Sequence, residues 1–267
     1  MKLSLNTATV KRLTLAEAVA GCVDAGITGI GVWRDRVAEA GGGAAAAKII
    51  GDAGLVVTSL CRGGFFTRPG WEADNRAAIT EAAELGTREL VLVVGGLAPD
   101  SRDLPGARAL VLDALEQLVP HAREVGVRLA IEPLHPMFCA DRAVVSTLGQ
   151  ALDLASHFAP QEVGVVVDTY HVWWDPQLFE QIARAAGRIS AYQVCDWTLP
   201  LPADVLLGRG HVGDGHIEFA PITAAVLAAG YEGHVEVEIF NEQIWAAPGN
   251  ETIATVVSRH TTHFPEF

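Results

Sequence analysis

The sequence predicts one closed (β/α)8 barrel over residues 1–267, and three observations carry that prediction. Eight short segments rich in Val, Ile and Leu recur along the chain. The stretches between them place apolar residues at helical spacing, and several end in glycine. No composition break marks a second domain, and "NTATVKR", after the first segment, lacks the Gly-rich phosphate turn of a doubly wound open sheet.

The strands are "LSLN" (3–6), "GIGVW" (29–33), "LVVTSL" (55–60), "ELVLVV" (89–94), "VRLAIEP" (127–133), "VGVVVD" (163–168), "RISAYQV" (188–194) and "HVEVEIF" (234–240). Short β-branched runs of this kind suit strands buried on both faces, as in a parallel sheet. The helical stretches include "TLAEAVAGCVDAG" (14–26), "NRAAITEAAELG" (75–86), "ARALVLDALEQLVPHAREVG" (107–126) and "PITAAVLAAG" (221–230). Gly26, Gly86, Gly126 and Gly230 close them, and glycine is the residue that accepts a left-handed C-cap at least cost. Each helix returns the chain so that the next strand runs parallel. "EAGGGAAAAK" (39–48) reads as a loop feeding an alanine-rich helix.

Half of the residues are hydrophobic and 19% are charged, ample for one core of this size. The formal net charge of −13 opposes a polyphosphate backbone, so nucleic acid is not an expected partner. No apolar run reaches the roughly 18 residues of a membrane span. "MKLSLNTATVKRLTLAEA" lacks the divisions of a signal peptide, and a soluble cytoplasmic protein without a membrane partner is expected. Cys22, Cys61, Cys139 and Cys195 form no C-x-x-C pair, which points to reduced thiols and away from a zinc knuckle.

In a barrel of this class the chemistry sits where strands end. The fifth strand ends at Glu132 and the sixth at Asp168, while the seventh carries Gln193 and the eighth Glu238. Three buried carboxylates converging on one mouth repel each other and lose hydration. A divalent cation resolves both costs, and carboxylate and amide oxygens are hard ligands suited to Mn²⁺, or to Mg²⁺ or Co²⁺, at one ion per chain. The competing reading takes them as ordinary strand-end residues, some paired with Arg128 or Arg188. All six tryptophans, Trp33, Trp71, Trp173, Trp174, Trp197 and Trp245, also follow strands. An aromatic rim packs on the C–H face of a sugar or a flat aglycone; a loop-capping cluster or a subunit interface is the alternative.

The motifs "EPLHP", "DTYH", "QVCDW", "GRGHVGDGHI" and "EVEIF" give the whole chain a resemblance to the sugar phosphate isomerase/epimerase group. These xylose-isomerase-like barrels include hydroxypyruvate isomerases, ketose 3-epimerases, inosose dehydratase and an apurinic-site endonuclease branch. The resemblance implies metal ligation by Glu132, Asp168, Gln193 and Glu238, and substrate contact by His171. It places Arg209 and His211 in a loop that folds over the sugar. His135 stands where comparable epimerases often carry Asn; with Trp33 and Trp173 it completes the expected substrate contacts. It also implies association through the barrel face, as an oligomer or with an accessory subunit.

The chemistry that fits is proton abstraction next to a carbonyl, with a metal-bound enediolate, Glu132 and Glu238 as acid/base residues and His171 assisting. The expected activity is a sugar isomerase or epimerase acting on a keto sugar. The alternative is a lyase of the same group, a C-glycoside deglycosidase of 3-keto glycosides or an inosose-type dehydratase, with a small-molecule sugar or glycoside as substrate. The endonuclease branch needs additional histidines from early strands, whereas "CRGG" (61–64) and "VGGL" (94–97) have none. A noncatalytic sugar-binding protein would bind sugar without metal. Arg34, Arg62, Arg68 and Arg142 follow strands, and whether any of them reads a phosphate is open at this stage.

Overall fold

A computed structural model describes residues 1–265. In chain order the elements are β1 (Leu3–Asn6), α1 (Leu15–Asp24), β2 (Gly29–Trp33), α2 (Arg34–Glu39), α3 (Gly43–Asp52), β3 (Val56–Gly64), α4 (Trp71–Leu85), β4 (Glu89–Val93), α5 (Leu104–Val125) and β5 (Arg128–Ile131). The second half continues with α6 (Leu148–Ala155), β6 (Val163–Asp168), α7 (Thr169–Val172), α8 (Leu178–Arg184), β7 (Ile189–Val194), β8 (Asp196–Trp197), β9 (Arg209–Gly210), α9 (Phe219–Ala228), β10 (Val235–Val237), α10 (Glu242–Ala246) and α11 (Gly249–His263). Eight strands close in the order β1-β10-β7-β6-β5-β4-β3-β2, and every neighbouring pair is parallel. This is the expected (β/α)8 barrel. Its eighth strand is β10, because β8 and β9 leave the barrel as a two-residue antiparallel ribbon.

Local chemistry explains the helix ends. Thr14 caps α1 in a capping box with Glu17, and Asp103 caps α5 through the Gly106 N–H. Several expected strand boundaries shift, β3 the most. β3 continues to Gly64, which puts Cys61 and Arg62 on the strand instead of the loop after it. At 39–48 a turn through Gly41 and Gly42, at φ 96° and 109°, feeds the alanine-rich helix α3, as expected, with the short α2 ahead of it.

Inside the barrel, Cys61, Val91, Ala130, Val166 and Ala191 form a small apolar layer beneath half-buried Trp33. Beside it lies a polar layer. There Glu236 accepts hydrogen bonds from Asn6 Nδ2 (2.8 Å), Thr58 Oγ1 (2.5 Å), Ser59 Oγ (2.9 Å) and Gln193 Nε2 (2.9 Å). Gly31 makes room for it, since a Cβ there would stand 2.6 Å from the Glu236 carboxylate. Gly31→Ala is therefore expected to destabilise the protein by about 1–3 kcal/mol through overpacking. Urea unfolding measures this, and an unchanged midpoint would show that the layer yields freely.

Candidate active site

The barrel ladder itself positions the acidic residues. Glu132 follows β5, yet its N–H still donates to Leu92 O (3.1 Å), and the Glu238 N–H donates to Val194 O (3.2 Å). Asp168 ends β6, and its Oδ1 accepts the Tyr170 N–H at 2.8 Å, starting the short helix α7 that carries His171. One ligand atom each from Glu132, Asp168 and His171 falls within 4.8 Å of the others. His171 Nε2 lies 3.9 Å from both Glu132 Oε1 and Asp168 Oδ2.

Glu238 joins this group through Arg209. The Arg209 Nη1 donates to Asp168 Oδ2 at 2.9 Å and reaches Glu238 Oε2 at 3.4 Å, while Trp33 Nε1 donates to Glu238 Oε1 at 3.1 Å. Arg209 is only 2% exposed and lies over the rings of Tyr170 and Phe240, with its Cζ 4.8 and 5.0 Å from their centroids. The expected sugar-covering loop thus delivers its arginine into the carboxylate cluster as a counter-ion.

Burial, reinforced by the charges of Asp168 and Glu238, pushes the Glu132 carboxyl well above the usual carboxylate range. Burial raises Glu238 to about 7, with Arg209 opposing the rise and Asp168 adding to it. Burial and the nearby Arg209 charge push His171 well below its ordinary value, so its ring is neutral. His171 Nδ1 faces the His135 N–H at 3.2 Å and its Nε2 faces Arg209 Nη2 at 2.9 Å. A neutral imidazole accepts at only one nitrogen, so only one of these two contacts is satisfied at a time.

These residues fit a divalent cation. Once ionised, the three buried carboxylates outweigh one guanidinium beside a neutral imidazole by two charges, which one dication balances. Gln193 adds a donor. The acceptor-only Glu236 carboxylate fixes which end of the amide faces it, and Gln193 Oε1 is left buried without a hydrogen-bond partner.

The remaining expected contacts divide. Trp33, His171 and Arg209 line one cavity with Glu132 and Glu238. His135, Trp173 and His211 do not line it. The His135 ring packs against Trp174 and Trp197 at 5.3 and 5.1 Å, and Trp173 leans on Trp197 at 5.7 Å. A turn closed by Asp214 N–H to His211 O at 3.0 Å carries His211 away toward Asp214 and Arg259. The tryptophans act largely as structural braces: Trp174 Nε1 donates to His171 O and Trp245 Nε1 to Ala8 O, both at 2.7 Å.

Sequence reasoning left out Asp196. Its carboxylate accepts the N–H groups of Trp197 (2.8 Å), Gly213 (3.0 Å), Gly215 (2.8 Å) and Ile217 (3.0 Å), anchoring the glycine-rich loop that follows Arg209. An aspartate two residues beyond a barrel strand, ahead of "GRGHVGDG", was the available signal. Glu236 was also left out, although its period-two spacing from Glu238 puts both on the inner face of β10 and its extension.

A family model described as a xylose isomerase-like TIM barrel matches residues 19–259. The chain is 28% identical over 257 residues to 3-dehydroshikimate dehydratase of Pseudomonas putida, an alignment covering 90% of this chain and 38% of that relative. It is 29% identical over 147 residues to inosose isomerase of Bacillus velezensis, covering 54% of this chain and 50% of that protein. The chain thus spans half or less of the length of these curated relatives. A crystal structure of a protein from Sinorhizobium meliloti 1021 shares 49% identity over 98% of both chains, with a TM-score of 0.93. With the eight parallel strands closed and the family match covering nearly all of them, this chain belongs to the xylose isomerase-like TIM barrel family.

Proposed function

We propose that this chain abstracts a proton next to the carbonyl of a keto sugar or keto cyclitol and returns it, acting as a divalent-metal-dependent isomerase or epimerase. The observation that carries the reading is the convergence of Glu132, Glu238 and a neutral His171 on one cavity, with buried Asp168 beside Glu132 and His171 and joined to Glu238 through Arg209. Glu132, Asp168, Gln193 and Glu238 are the residues that would hold the ion, Mn²⁺ or its hard relatives Mg²⁺ and Co²⁺. When bound, that ion supplies positive charge beside the substrate oxygens and acidifies the adjacent C–H.

This chain's own groups do the rest. Glu238, held by the Trp33 indole, takes the proton, and Glu132 on the facing wall delivers one to the other carbon or the other face. Neutral His171 offers its ring N–H to the oxygen that gains charge. Arg209, lying over Tyr170 and Phe240, adds fixed positive charge at the same place. Phe65, Leu134 and Phe240 line the cavity and keep water from the carbanion.

One observation favours a second reading, elimination of a β-substituent after the same abstraction: the relative that aligns with 90% of this chain is a dehydratase. The test is incubation of the Mn²⁺-loaded protein in D₂O with a free ketose, an inosose and 3-dehydroshikimate, followed by NMR. Deuterium at the carbon next to the carbonyl with an isomeric product supports the first reading. A new C=C bond with loss of water supports the second. Absence of either change with all three substrates contradicts the proposed proton abstraction.

A further inference from the structure

The cavity that holds the carboxylates opens outward past a group of arginines that the proton-transfer chemistry does not use. Arg62 and Arg142 line the inner cavity beside Glu132 and Glu238. Arg62 also lines an adjoining cleft of about 380 Å³, together with Arg34 and Arg68. Trp33, Cys61, Arg62 and Phe65 line both, so the two spaces adjoin across these side chains.

Other arginines near acidic residues are taken up by them. Arg34 is bound by Asp74 at 2.8 Å and by Glu81 at 2.7 Å, and Arg128 by Glu89 at 2.7 Å. Among the described residues, the side chains of Arg62 and Arg68 make no ion pair or hydrogen bond. Arg142 reaches only the adjacent Asp141 at 3.6 Å, and its buried Nε has no hydrogen-bond partner. Asp74 borders the same cleft but is taken up by Arg34. Arg62 and Arg68 both stack on Phe65, their Cζ atoms 4.0 and 3.9 Å from its ring centroid. Phe65 holds that position at φ 53°, a left-handed backbone that a bulky side chain rarely adopts.

Cation–π stacking accounts for the contacts with Phe65 and uses none of the guanidinium N–H groups, for which the described residues supply no acceptor. Crowding like charges is unfavourable, and burial together with the Arg68 and Arg142 charges lowers the Arg62 pKa. In a chain with a formal net charge of −13, Arg62 and Arg68 have no carboxylate partner among the described residues and Arg142 has only the 3.6 Å contact with Asp141, which leaves guanidinium donors available to a foreign anion.

We infer that Arg62 and Arg142, with Arg68 at the outer edge, bind an oxyanion substituent of the substrate, a carboxylate or a phosphate, while its carbonyl end lies against Glu132 and Glu238. The inference rests on the proposed proton-transfer reading for the placement of the carbonyl end only. It excludes neutral sugars and neutral cyclitols as the preferred substrates.

Equilibrium binding to the Mn²⁺-loaded protein tests this with 3-dehydroshikimate, fructose 6-phosphate and fructose as probes. Wild type is expected to bind one of the two anionic probes at least about 10-fold more tightly than fructose, and the better one identifies carboxylate or phosphate as the group read. Arg62→Met and Arg142→Met should each lose about 10-fold or more of that preference, the scale of one charge-assisted hydrogen bond. Arg184→Met, at a surface pair with Asp153, should keep it. Thermal unfolding of each variant confirms folding, and Arg62→Lys, which keeps the charge but not the fork, should fall between. A preference under 10-fold in wild type, or one retained in both methionine variants, overturns the inference. Because binding is read without turnover, the anion preference stands or falls separately from the proton-transfer chemistry.

Discussion

Glu238→Gln is expected to lower kcat by about 100-fold or more, the usual scale for removal of a general base. Glu238 is the acidic residue whose environment is most finely divided: Trp33 Nε1 donates to one oxygen at 3.1 Å and Arg209 Nη1 faces the other at 3.4 Å. The amide is isosteric and keeps one acceptor oxygen, so metal affinity survives in part. Its NH₂ group must then face either the indole N–H or the guanidinium, and it accepts no proton. The loss should fall on kcat with a smaller change in KM, because the missing group acts on the reacting carbon more than on binding. Wild-type turnover by this variant, with metal bound, would remove Glu238 from the reaction.

Asp168→Asn is expected to lower Mn²⁺ affinity by at least about 100-fold, since even residues behind a ligand typically contribute 10–100-fold. Asp168 is fully buried, its Oδ1 engaged by the Tyr170 N–H and its Oδ2 by Arg209. Asparagine can keep the first bond and lose the second. One negative charge leaves the cluster, and Arg209 is left with Glu238 as its partner. Calorimetric titration of chelated protein with Mn²⁺ measures the change. Unaltered affinity would move the metal site elsewhere, and circular dichroism separates loss of a ligand from loss of fold.

Much of this architecture was legible because parallel barrels have a strong grammar. "VGVVVD" is buried at every position, as a strand covered on both faces must be, and its polar last residue lies at the C-terminal end of the strand. Glu132 and Glu238 were reached by the same rule, although both lie just beyond the residues that form strands. The β8–β9 ribbon was not legible. Two-residue strands carry no periodicity, and the eleven residues between them follow no helical or alternating pattern.

That gap explains the site residues that moved. With the path of the ribbon unknown, Arg209 and His211 could only be placed together in a loop. The fold instead sends one into the carboxylates and the other toward Arg259. His135 and Trp173 follow strands as rim residues do, yet they pack against other aromatic rings, and packing partners are not encoded in spacing. The absence of an ion pair at Arg62 among the described residues, and the lack of a hydrogen-bond partner at the Arg142 Nε, were hidden for a similar reason. An arginine's partner is set by tertiary geometry, and only the structure shows that nearby Asp74 is already taken.

The central claim is that one divalent ion belongs among these residues. An anomalous difference map from a crystal soaked in Mn²⁺ measures it directly. The account predicts one strong peak per chain, ligated by Glu132, Asp168, Gln193 and Glu238, with the Arg209 guanidinium withdrawn from Asp168. A map with no peak there, and Arg209 still bridging Asp168 and Glu238 at saturating Mn²⁺, would contradict it.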